Sequence, residues 1–224
     1  MIVAAVPVKD LSAAKQRVGR LLTASERRLL MRAMLEDVLS CLGASPVDSV
    51  LVVTGDPEVT EIARRFKAQI VLEPVNEGHT AAVALAQRRL IAEGAEGLLT
   101  IPGDVPLATP DEIAAIIHGA APAPSVTFVP SRNGLGTNGA LLLPPDLLTL
   151  TFGEPSFPNH LDAARTRGFE PRVLDLQGLG LDIDTTDDLQ ILLSRGGQTK
   201  TATLLSQIGL GARMSEILMP MAAR

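Results

Sequence analysis

The sequence predicts a single α/β domain in which a mostly parallel central sheet carries helices on both faces. The chain has 224 residues, a length that suits one large domain or two small ones. Its composition, 46% hydrophobic and 20% charged, is that of a globular protein. Short apolar runs alternate with segments of helical period, and this alternation is typical of βαβ units whose strands are buried on both faces.

The predicted elements follow one another through residue 195. Residues 2–6 and 49–54 are continuous apolar runs, as expected of buried strands. Between them, Thr23 and Glu26 have the spacing of a capping box, and an apolar stripe of helical period follows them (Leu30, Met34, Val38, Leu42). The same criteria predict further strands at 69–72, 97–101, 125–129, 140–143 and 172–176 and helices at 57–66, 80–92, 111–118, 156–167 and 185–193.

The last segment, residues 196–224, departs from this alternation. It contains apolar residues, but Gly209 and Gly211 interrupt their pattern. We therefore expect the domain to span residues 1–195. Residues 196–224 are expected to form a C-terminal tail or an oligomerisation arm, with a homodimer as one arrangement.

The composition argues against several classes of protein. A formal net charge of −5 and a pI near 5.2 argue against nucleic-acid binding, which requires clustered Lys and Arg. No apolar run approaches the roughly 20 residues of a membrane span, and no basic segment precedes the first apolar stretch, so we expect a cytoplasmic protein with no membrane partner. With Cys41 as its single cysteine, the chain has no internal disulfide and no cysteine-based zinc site.

Cations follow the first predicted strand, at the sheet edge where ligands bind in open parallel sheets. This loop carries Lys9, Lys15 and Arg17, which suit a phosphate group. The alternative is an ordinary solvated basic loop. The chain has no GxxxxGK[ST] motif, which disfavours ATPases and GTPases of the P-loop class.

Carboxylates follow two other elements. Asp104 comes directly after an apolar strand and lies between a glycine and prolines, while Asp182 and Asp184 point to the same side of an extended segment. Paired carboxylate oxygens suit Mg²⁺, which takes few protein ligands together with waters and phosphates. The alternative is that Asp184 or Thr185 is simply the N-cap of the following helix, and both interpretations are compatible.

A third group combines glycines with a helix start. Residues 136–139 read GTNG, and Gly153 precedes a helix that begins at Ser156. A helix N-terminus offers free N–H groups to an anion, although Ser156 is equally compatible with a plain N-cap. His160, one turn into the helix, is placed to reach the same anion. His79 lies in a loop, where it contacts either a nucleotide or solvent.

Five stretches in this order carry a resemblance to a known family: PVKDLSAAKQRV at 7–18, PGDVPL at 102–107, GTNGALLL at 136–143, FGEPSFPNH at 152–160 and DIDTTDDL at 182–189. On these motifs, residues 1–195 resemble the phospholactate/phosphoenolpyruvate guanylyltransferase family of coenzyme F420 biosynthesis. The resemblance implies a Rossmann-like nucleotidyltransferase fold.

The resemblance also implies a reaction. GMP is transferred from GTP to the phosphate of a small phospho-acid, which is 2-phospho-L-lactate, phosphoenolpyruvate or 3-phosphoglycerate, and pyrophosphate is released. In the family the acceptor phosphate is held by residues that match Thr137, Gly153 and Ser156, and we add His160 as a further substrate contact. A phosphate monoester loses its second proton near pH 6, so this nucleophile needs no general base.

The family pattern also assigns the nucleotide side. Residues matching Asp104 and Asp184 bind Mg²⁺, with Asp182 as our further candidate ligand, and Lys15 contacts the triphosphate. We therefore expect Lys15, Asp104 and Asp184 to be the catalytic residues. Our candidate nucleotide contacts are Lys9, Arg17, His79 and Thr80. The family has GLNxA where this chain reads GHTAA at 78–82.

Other functions remain as alternatives. A Mg²⁺-dependent nucleotidyltransferase acting on a sugar phosphate, a polyol phosphate or a molybdopterin-type acceptor is the runner-up. A nucleotide-sugar glycosyltransferase would require a DxD motif after the fourth strand, whereas this chain has a single carboxylate there, Asp104. A nucleotide sensor without turnover is the third alternative.

Overall fold

A computed structural model describes residues 1–11, 15–73, 75, 77–195 and 197–218. None of the helices in these ranges is both long and apolar enough to cross a bilayer. A short 3₁₀ turn at Gln16–Val18 precedes the first helix. In chain order the elements are β1 (Ile2–Pro7), α1 (Ala24–Gly43), β2 (Ser49–Thr54), α2 (Pro57–Arg65), β3 (Gln69–Leu72), α3 (His79–Ala92), β4 (Gly97–Thr100), α4 (Pro110–His118), β5 (Ser125–Pro130), β6 (Thr137–Leu143), α5 (Ser156–Thr166), β7 (Arg172–Val173), α6 (Thr186–Arg195), α7 (Lys200–Gln207) and α8 (Leu210–Leu218).

The strands form one sheet in the order β3-β2-β1-β4-β6-β5-β7. Every neighbouring pair is parallel except those that involve β6, which is antiparallel to both β4 and β5. The predicted mostly parallel sheet is thus confirmed. Because β6 is reversed, its first residue, Thr137, pairs with Pro130 at the end of β5 and lies at the carboxyl edge of the other strands.

Helices cover both faces of the sheet, as predicted. Alternate residues of β1 point to opposite faces, with Ala4 and Val6 in one hydrophobic cluster and Val3 and Ala5 in another. The first cluster contains residues of α1, α2, α4, α6, α7 and α8, and the opposite face packs against α3 and α5. Each Leu or Val buried in these layers stabilises the fold by about 1.5 to 3 kcal/mol.

Most of the predicted elements are present. The capping box formed by Thr23 and Glu26 begins α1, as expected. The largest differences are that β6 begins at Thr137 instead of residue 140, and that β7 has two residues where five were predicted. The GTNG segment thus includes the start of a strand, although glycine and asparagine are poor strand formers.

The C-terminal segment belongs to the domain as far as residue 218. Leu205, Leu210 and Met214 are buried in the same cluster as α1, and Gly209, at φ +65°, forms the turn between α7 and α8. The folded domain therefore continues beyond the predicted boundary at residue 195. The described residues after this boundary pack with α1 and do not form an extended tail. Residues 196 and 219–224 lie outside the described part of the chain, and the predicted oligomerisation stays a prediction.

Asp37 in α1 holds the start of α7. Its carboxylate accepts hydrogen bonds from the Lys200 amide at 2.8 Å, the Thr201 amide at 2.9 Å and the Thr201 hydroxyl at 2.6 Å. We expect Asp37→Ala to lower the free energy of unfolding by about 1.5 to 3 kcal/mol, the range for hydrogen bonds to a charged group. Urea unfolding measures this, with the exposed Asp175→Ala as the control. An unchanged midpoint for Asp37→Ala would contradict it.

Candidate active site

A cleft of about 300 Å³ opens at the carboxyl edge of the sheet. Loops that follow β1 and β4 contribute to it, together with the start of α3 and the segment before α6. The cleft therefore brings together motifs far apart in the sequence, as expected at this edge of a parallel sheet. Its lining includes Lys9, Asp10, Lys15, His79, Gly103, Asp104 and Asp184.

Lys15 lies at the centre of this cleft. Its Nζ is 2.5 Å from Asp104 Oδ2 and 2.6 Å from Asp184 Oδ1, and its side chain is only 4% exposed. Burial by itself would lower the pKa of Lys15, but the two carboxylates outweigh burial and raise that pKa above its ordinary value. Lys15 is therefore a charged ammonium held between two carboxyl groups.

Neither carboxylate of this cluster serves as a helix cap. Thr109 forms the capping box of α4, so Asp104 is not needed there. Before α6, the hydroxyl and amide of Thr185 both donate to Asp188 Oδ2, at 2.7 and 2.8 Å. The side chain of Asp184 instead points to Lys15. Of the two N-cap candidates that the sequence offered, Asp184 is therefore not the one that caps α6.

Asp182 is bound separately. Its Oδ1 accepts a hydrogen bond of 3.0 Å from Asn138 Nδ2, which also donates to the Leu179 carbonyl. Burial raises the pKa of Asp182; the Asn138 amide opposes this, and the neighbouring Asp104 and Asp184 charges add to it. Over the described ranges, no three acidic, histidine or cysteine side chains converge on a point that could hold a metal ion. The structure thus pairs Asp104 with Asp184, and the ligand role of Asp182 stays a prediction.

The donor set fits a magnesium ion. Asp104 and Asp184 already share one cationic atom, the Lys15 ammonium, at 2.5 and 2.6 Å. Mg²⁺ typically takes one or two carboxylates and completes its coordination with waters and phosphate oxygens. A carboxylate pair at an open cleft offers such a site.

The other two predicted cations are exposed. Lys9 borders the main cleft, whereas Arg17 borders a smaller cavity of about 100 Å³ that is also lined by Asp182 and Asp184. Asp184 borders both cavities. The solvated-loop interpretation is therefore wrong for Lys15, which is buried, while Lys9 and Arg17 lie at the rim.

His79 and Thr80 connect the cleft to the loop after β6. The His79 ring lies 4.4 Å from the Phe152 ring, edge to face, and the Thr80 hydroxyl accepts a hydrogen bond of 2.8 Å from the Phe152 amide. Burial, with a smaller contribution from Lys9, lowers the pKa of His79 to about 4 against the opposing effect of Asp104. The ring is therefore neutral at pH 7. His79 and Thr80, in the GHT sequence at 78–80, thus fix the position of Phe152.

Thr137, Ser156 and His160 form a buried polar wall beyond this loop. Thr137 Oγ1 lies 2.9 Å from His160 Nδ1 and 3.3 Å from Ser156 Oγ. The N-cap of α5 is Pro155, so the interpretation of Ser156 as a plain N-cap is wrong, and its hydroxyl is directed to Thr137. Gly153 adopts φ +115° in the preceding turn, a conformation that favours glycine.

His160 lies one turn into α5, as predicted, but its ring is already engaged by the protein. Both of its ring nitrogens have protein partners, since Nδ1 contacts Thr137 and Nε2 accepts a hydrogen bond of 3.0 Å from the Thr151 amide. The ring therefore supports Thr137 and has no nitrogen left for direct contact with an anion.

Sequence reasoning assigned no role to Asn138 or Arg132. Asn138 lies within the GTNG motif, and its strand position directs it to the face opposite Thr137, where it binds Asp182. Arg132 binds Asp188 at 2.8 Å and so supports the segment that contains Asp184. Asn138 had a signal in the motif, whereas nothing in the sequence near Arg132 indicated its partner 56 residues away.

Comparisons with known proteins identify a family that matches nearly the whole chain. A family model described as "Guanylyl transferase CofC like" matches residues 2–218. Phosphoenolpyruvate guanylyltransferase of Sphaerobacter thermophilus is 42% identical over 194 residues, covering 85% of this chain and 91% of the relative. 2-phospho-L-lactate guanylyltransferase of Methanothermobacter thermautotrophicus is 34% identical over 205 residues, covering 92% and 90%.

Solved structures support the fold. A nucleotidyl transferase from Methanothermobacter thermautotrophicus has a TM-score of 0.63 at 20% identity, covering 85% of this chain and 95% of its own. A 4-diphosphocytidyl-2C-methyl-D-erythritol synthase has a TM-score of 0.60 at 16% identity, with the same two coverages of 85% and 95%. At such identities the likeness shows a shared fold. Together with the family match across residues 2–218, it leads to the conclusion that the chain belongs to the CofC-like guanylyl transferase family and is a nucleotidyltransferase.

Proposed function

We propose that this enzyme transfers GMP from GTP to the phosphate of phosphoenolpyruvate and releases pyrophosphate, as a step in coenzyme F420 biosynthesis. The observation that carries the proposal is the placement of the Lys15, Asp104 and Asp184 cluster at the same sheet edge as the Thr137 and Ser156 wall. The relative with 42% identity favours phosphoenolpyruvate over 2-phospho-L-lactate as the acceptor. A cytoplasmic location and a homodimer remain predictions.

The nucleotide belongs in the cleft around Lys15. Lys15 and Lys9 supply positive charge beside a pair of carboxylates, an arrangement suited to a triphosphate with its bound cation. When Mg²⁺ is bound, Asp104 and Asp184 would hold it, and it would neutralise charge that develops on the phosphate oxygens. The residues of the chain provide position and charge, which are the main requirements of phosphoryl and nucleotidyl transfer.

The acceptor phosphate belongs against Thr137, Gly153 and Ser156. Two hydroxyl groups and a glycine turn at the start of α5 offer hydrogen-bond donors and close approach to the backbone. The phosphate is already ionised at pH 7, so the reaction needs no general base. This agrees with His160, whose two ring nitrogens are occupied by Thr137 and Thr151.

The test crosses four nucleoside triphosphates with phosphoenolpyruvate, 2-phospho-L-lactate and 3-phosphoglycerate in the presence of Mg²⁺. Product masses and pyrophosphate release are measured. We expect a GMP adduct of phosphoenolpyruvate as the main product. Transfer only to a sugar or polyol phosphate would instead support the runner-up nucleotidyltransferase. GTP binding without pyrophosphate release from any mixture would support a nucleotide sensor.

Ser156→Ala tests the acceptor side. We expect the KM for the phospho-acid to rise about tenfold or more, because one hydrogen bond to a charged group contributes about 1.5 to 3 kcal/mol. The Kd of GTP measured without acceptor should change less than twofold. Gly153→Val should have a larger effect on the acceptor KM, because valine is strained at the φ of +115° that this turn requires. Weaker GTP binding by Ser156→Ala with an unchanged acceptor KM would show that Ser156 contacts the nucleotide and not the acceptor.

A further inference from the structure

The His160 ring is held on every side. It is 1% exposed, stacks on Phe128 with ring centroids 5.4 Å apart, and meets the edge of Phe152 at 5.3 Å. Its two nitrogens contact Thr137 Oγ1 and the Thr151 amide. A ring packed in this way cannot turn over without breaking both contacts.

These contacts determine where the ring carries its proton. The Thr151 amide can only donate, so Nε2 must present its lone pair. Burial lowers the pKa of His160 to about 4, so the ring is neutral at pH 7. A neutral imidazole with an unprotonated Nε2 carries its hydrogen on Nδ1. Nδ1 is therefore the donor in the 2.9 Å contact with Thr137 Oγ1.

The direction of the Thr137 hydroxyl follows. Its oxygen accepts from His160 Nδ1 at 2.9 Å, and the Ser156 hydroxyl lies 3.3 Å away, a long contact from which its rotatable hydrogen can turn to a ligand. The Thr137 hydrogen then points away from His160, and among the described residues the only other side-chain oxygen within hydrogen-bond distance is Ser156 Oγ, at 3.3 Å. The hydroxyl is thus a donor ready for an oxygen atom supplied by a ligand.

We propose that His160 is a positioning residue that, through its fixed Nδ1–H tautomer, makes Thr137 an obligate hydrogen-bond donor to a fully ionised phosphate oxygen of the acceptor. The proposal rests on the proposed function and deepens it, because it names the residue that orients the hydrogen-bond donor to the acceptor phosphate. A negatively charged phosphate oxygen accepts the Thr137 hydrogen bond, and such a charge-assisted bond is stronger than one between neutral groups.

The first experiment measures the tautomer directly. Two-bond ¹H–¹⁵N correlation spectra of the ¹⁵N-labelled full chain between pH 6 and 8 distinguish Nδ1–H from Nε2–H imidazoles. The His160 signals are identified by their loss in His160→Gln. We expect His160 to be neutral and protonated on Nδ1 throughout this range. A ring protonated on Nε2, or a doubly protonated ring at pH 7, would overturn the proposal.

Three matched variants separate the two contacts. His160→Asn can place an amide donor where Nδ1 lies and so keep the bond to Thr137, whereas His160→Gln can place an acceptor where Nε2 lies and keep the bond to Thr151. His160→Phe keeps the ring and removes both hydrogen bonds. We expect the acceptor KM to rise about tenfold in His160→Gln and His160→Phe, and by clearly less in His160→Asn. The Kd of GTP should change less than twofold in all three.

A double variant tests whether His160 acts through Thr137. If it does, His160→Gln should add less than a twofold increase to the acceptor KM of Thr137→Val, because the donor that it orients is already gone. Multiplicative effects of the two changes on KM would overturn the proposal, as would equal losses in His160→Asn and His160→Gln. If the wild-type chain transfers GMP to no phospho-acid, the proposed function fails, and the tautomer measurement then separates that result from an error about His160.

Discussion

Asp104→Asn is expected to reduce GMP transfer by about a thousandfold or more while leaving the fold intact. Asp104 lies in the loop that follows β4 and shares the Lys15 ammonium with Asp184, so the change removes one of the two negative charges that face the triphosphate. Metal-assisted charge stabilisation contributes several kcal/mol, and each 1.4 kcal/mol is tenfold in rate. Asparagine has nearly the same shape as aspartate, so the packing of the loop should remain.

Single-turnover kinetics with GTP and phosphoenolpyruvate measure this loss, and thermal unfolding checks the fold. Asp146→Asn, at an exposed position away from the cleft, serves as the matched control. Asp184→Asn should act in the same direction and without the loss of a helix cap, since Thr185 and Asp188 provide that cap. Near-normal turnover of Asp104→Asn with a normal melting temperature would show that this carboxylate has no role in catalysis.

The second large effect is expected for Lys15→Ala, which should lower kcat/KM for GTP by about a hundredfold to a thousandfold, the cost of removing one preorganised charge-stabilising donor. The structure adds an effect on stability. Without the ammonium, Asp104 and Asp184 face each other unpaired, and we expect the free energy of unfolding to fall by about 1 to 3 kcal/mol. This lies below the range for a fully buried pair because Asp184 is 45% exposed.

Magnesium should partly compensate for the loss of Lys15. The melting temperature of Lys15→Ala should rise more on addition of Mg²⁺ than that of the wild type, because the carboxylate pair has lost its resident cation. Lys15→Arg should restore activity only in part, since a planar guanidinium and a compact ammonium hold oxygen atoms differently. The exposed Arg20→Ala is the control. Unchanged kcat and KM for GTP in Lys15→Ala would mean that Lys15 does not contact the nucleotide.

The sequence was most informative where a local pattern decides the structure. The bounds of β2 and β3 agree with the predicted runs, because each is an apolar segment followed by clear turn or helix-start residues. The sequence was least informative where tertiary contacts override the intrinsic secondary-structure propensity of a residue. Gly139 lies inside β6 although glycine is a poor strand former. A Cβ at this position would come within 3.1 Å of Val129 in the neighbouring strand, and nothing in the local sequence indicates this close approach.

The candidate site shows the same limit. The sequence predicted Lys15, Asp104 and Asp184 at one edge of the sheet, because each lies in a loop that follows a predicted strand. It could not show that they form one cluster, since Lys15 is separated from its partners by 89 and 169 residues. The role of His160 was also out of reach, because it depends on a backbone amide at Thr151 and on the reversed direction of β6.

That reversed strand has a consequence for how specificity can change. Thr137 belongs to a paired strand, where inserting one residue would turn every following side chain to the other face of the sheet. Lys9 instead belongs to the exposed part of a connecting segment, where changes are tolerated. Under selection, libraries that vary the loops after β1 and β3 should therefore yield altered nucleotide preference readily. A new acceptor should require substitutions at fixed positions of β6 and α5, so the two preferences of the enzyme can evolve independently.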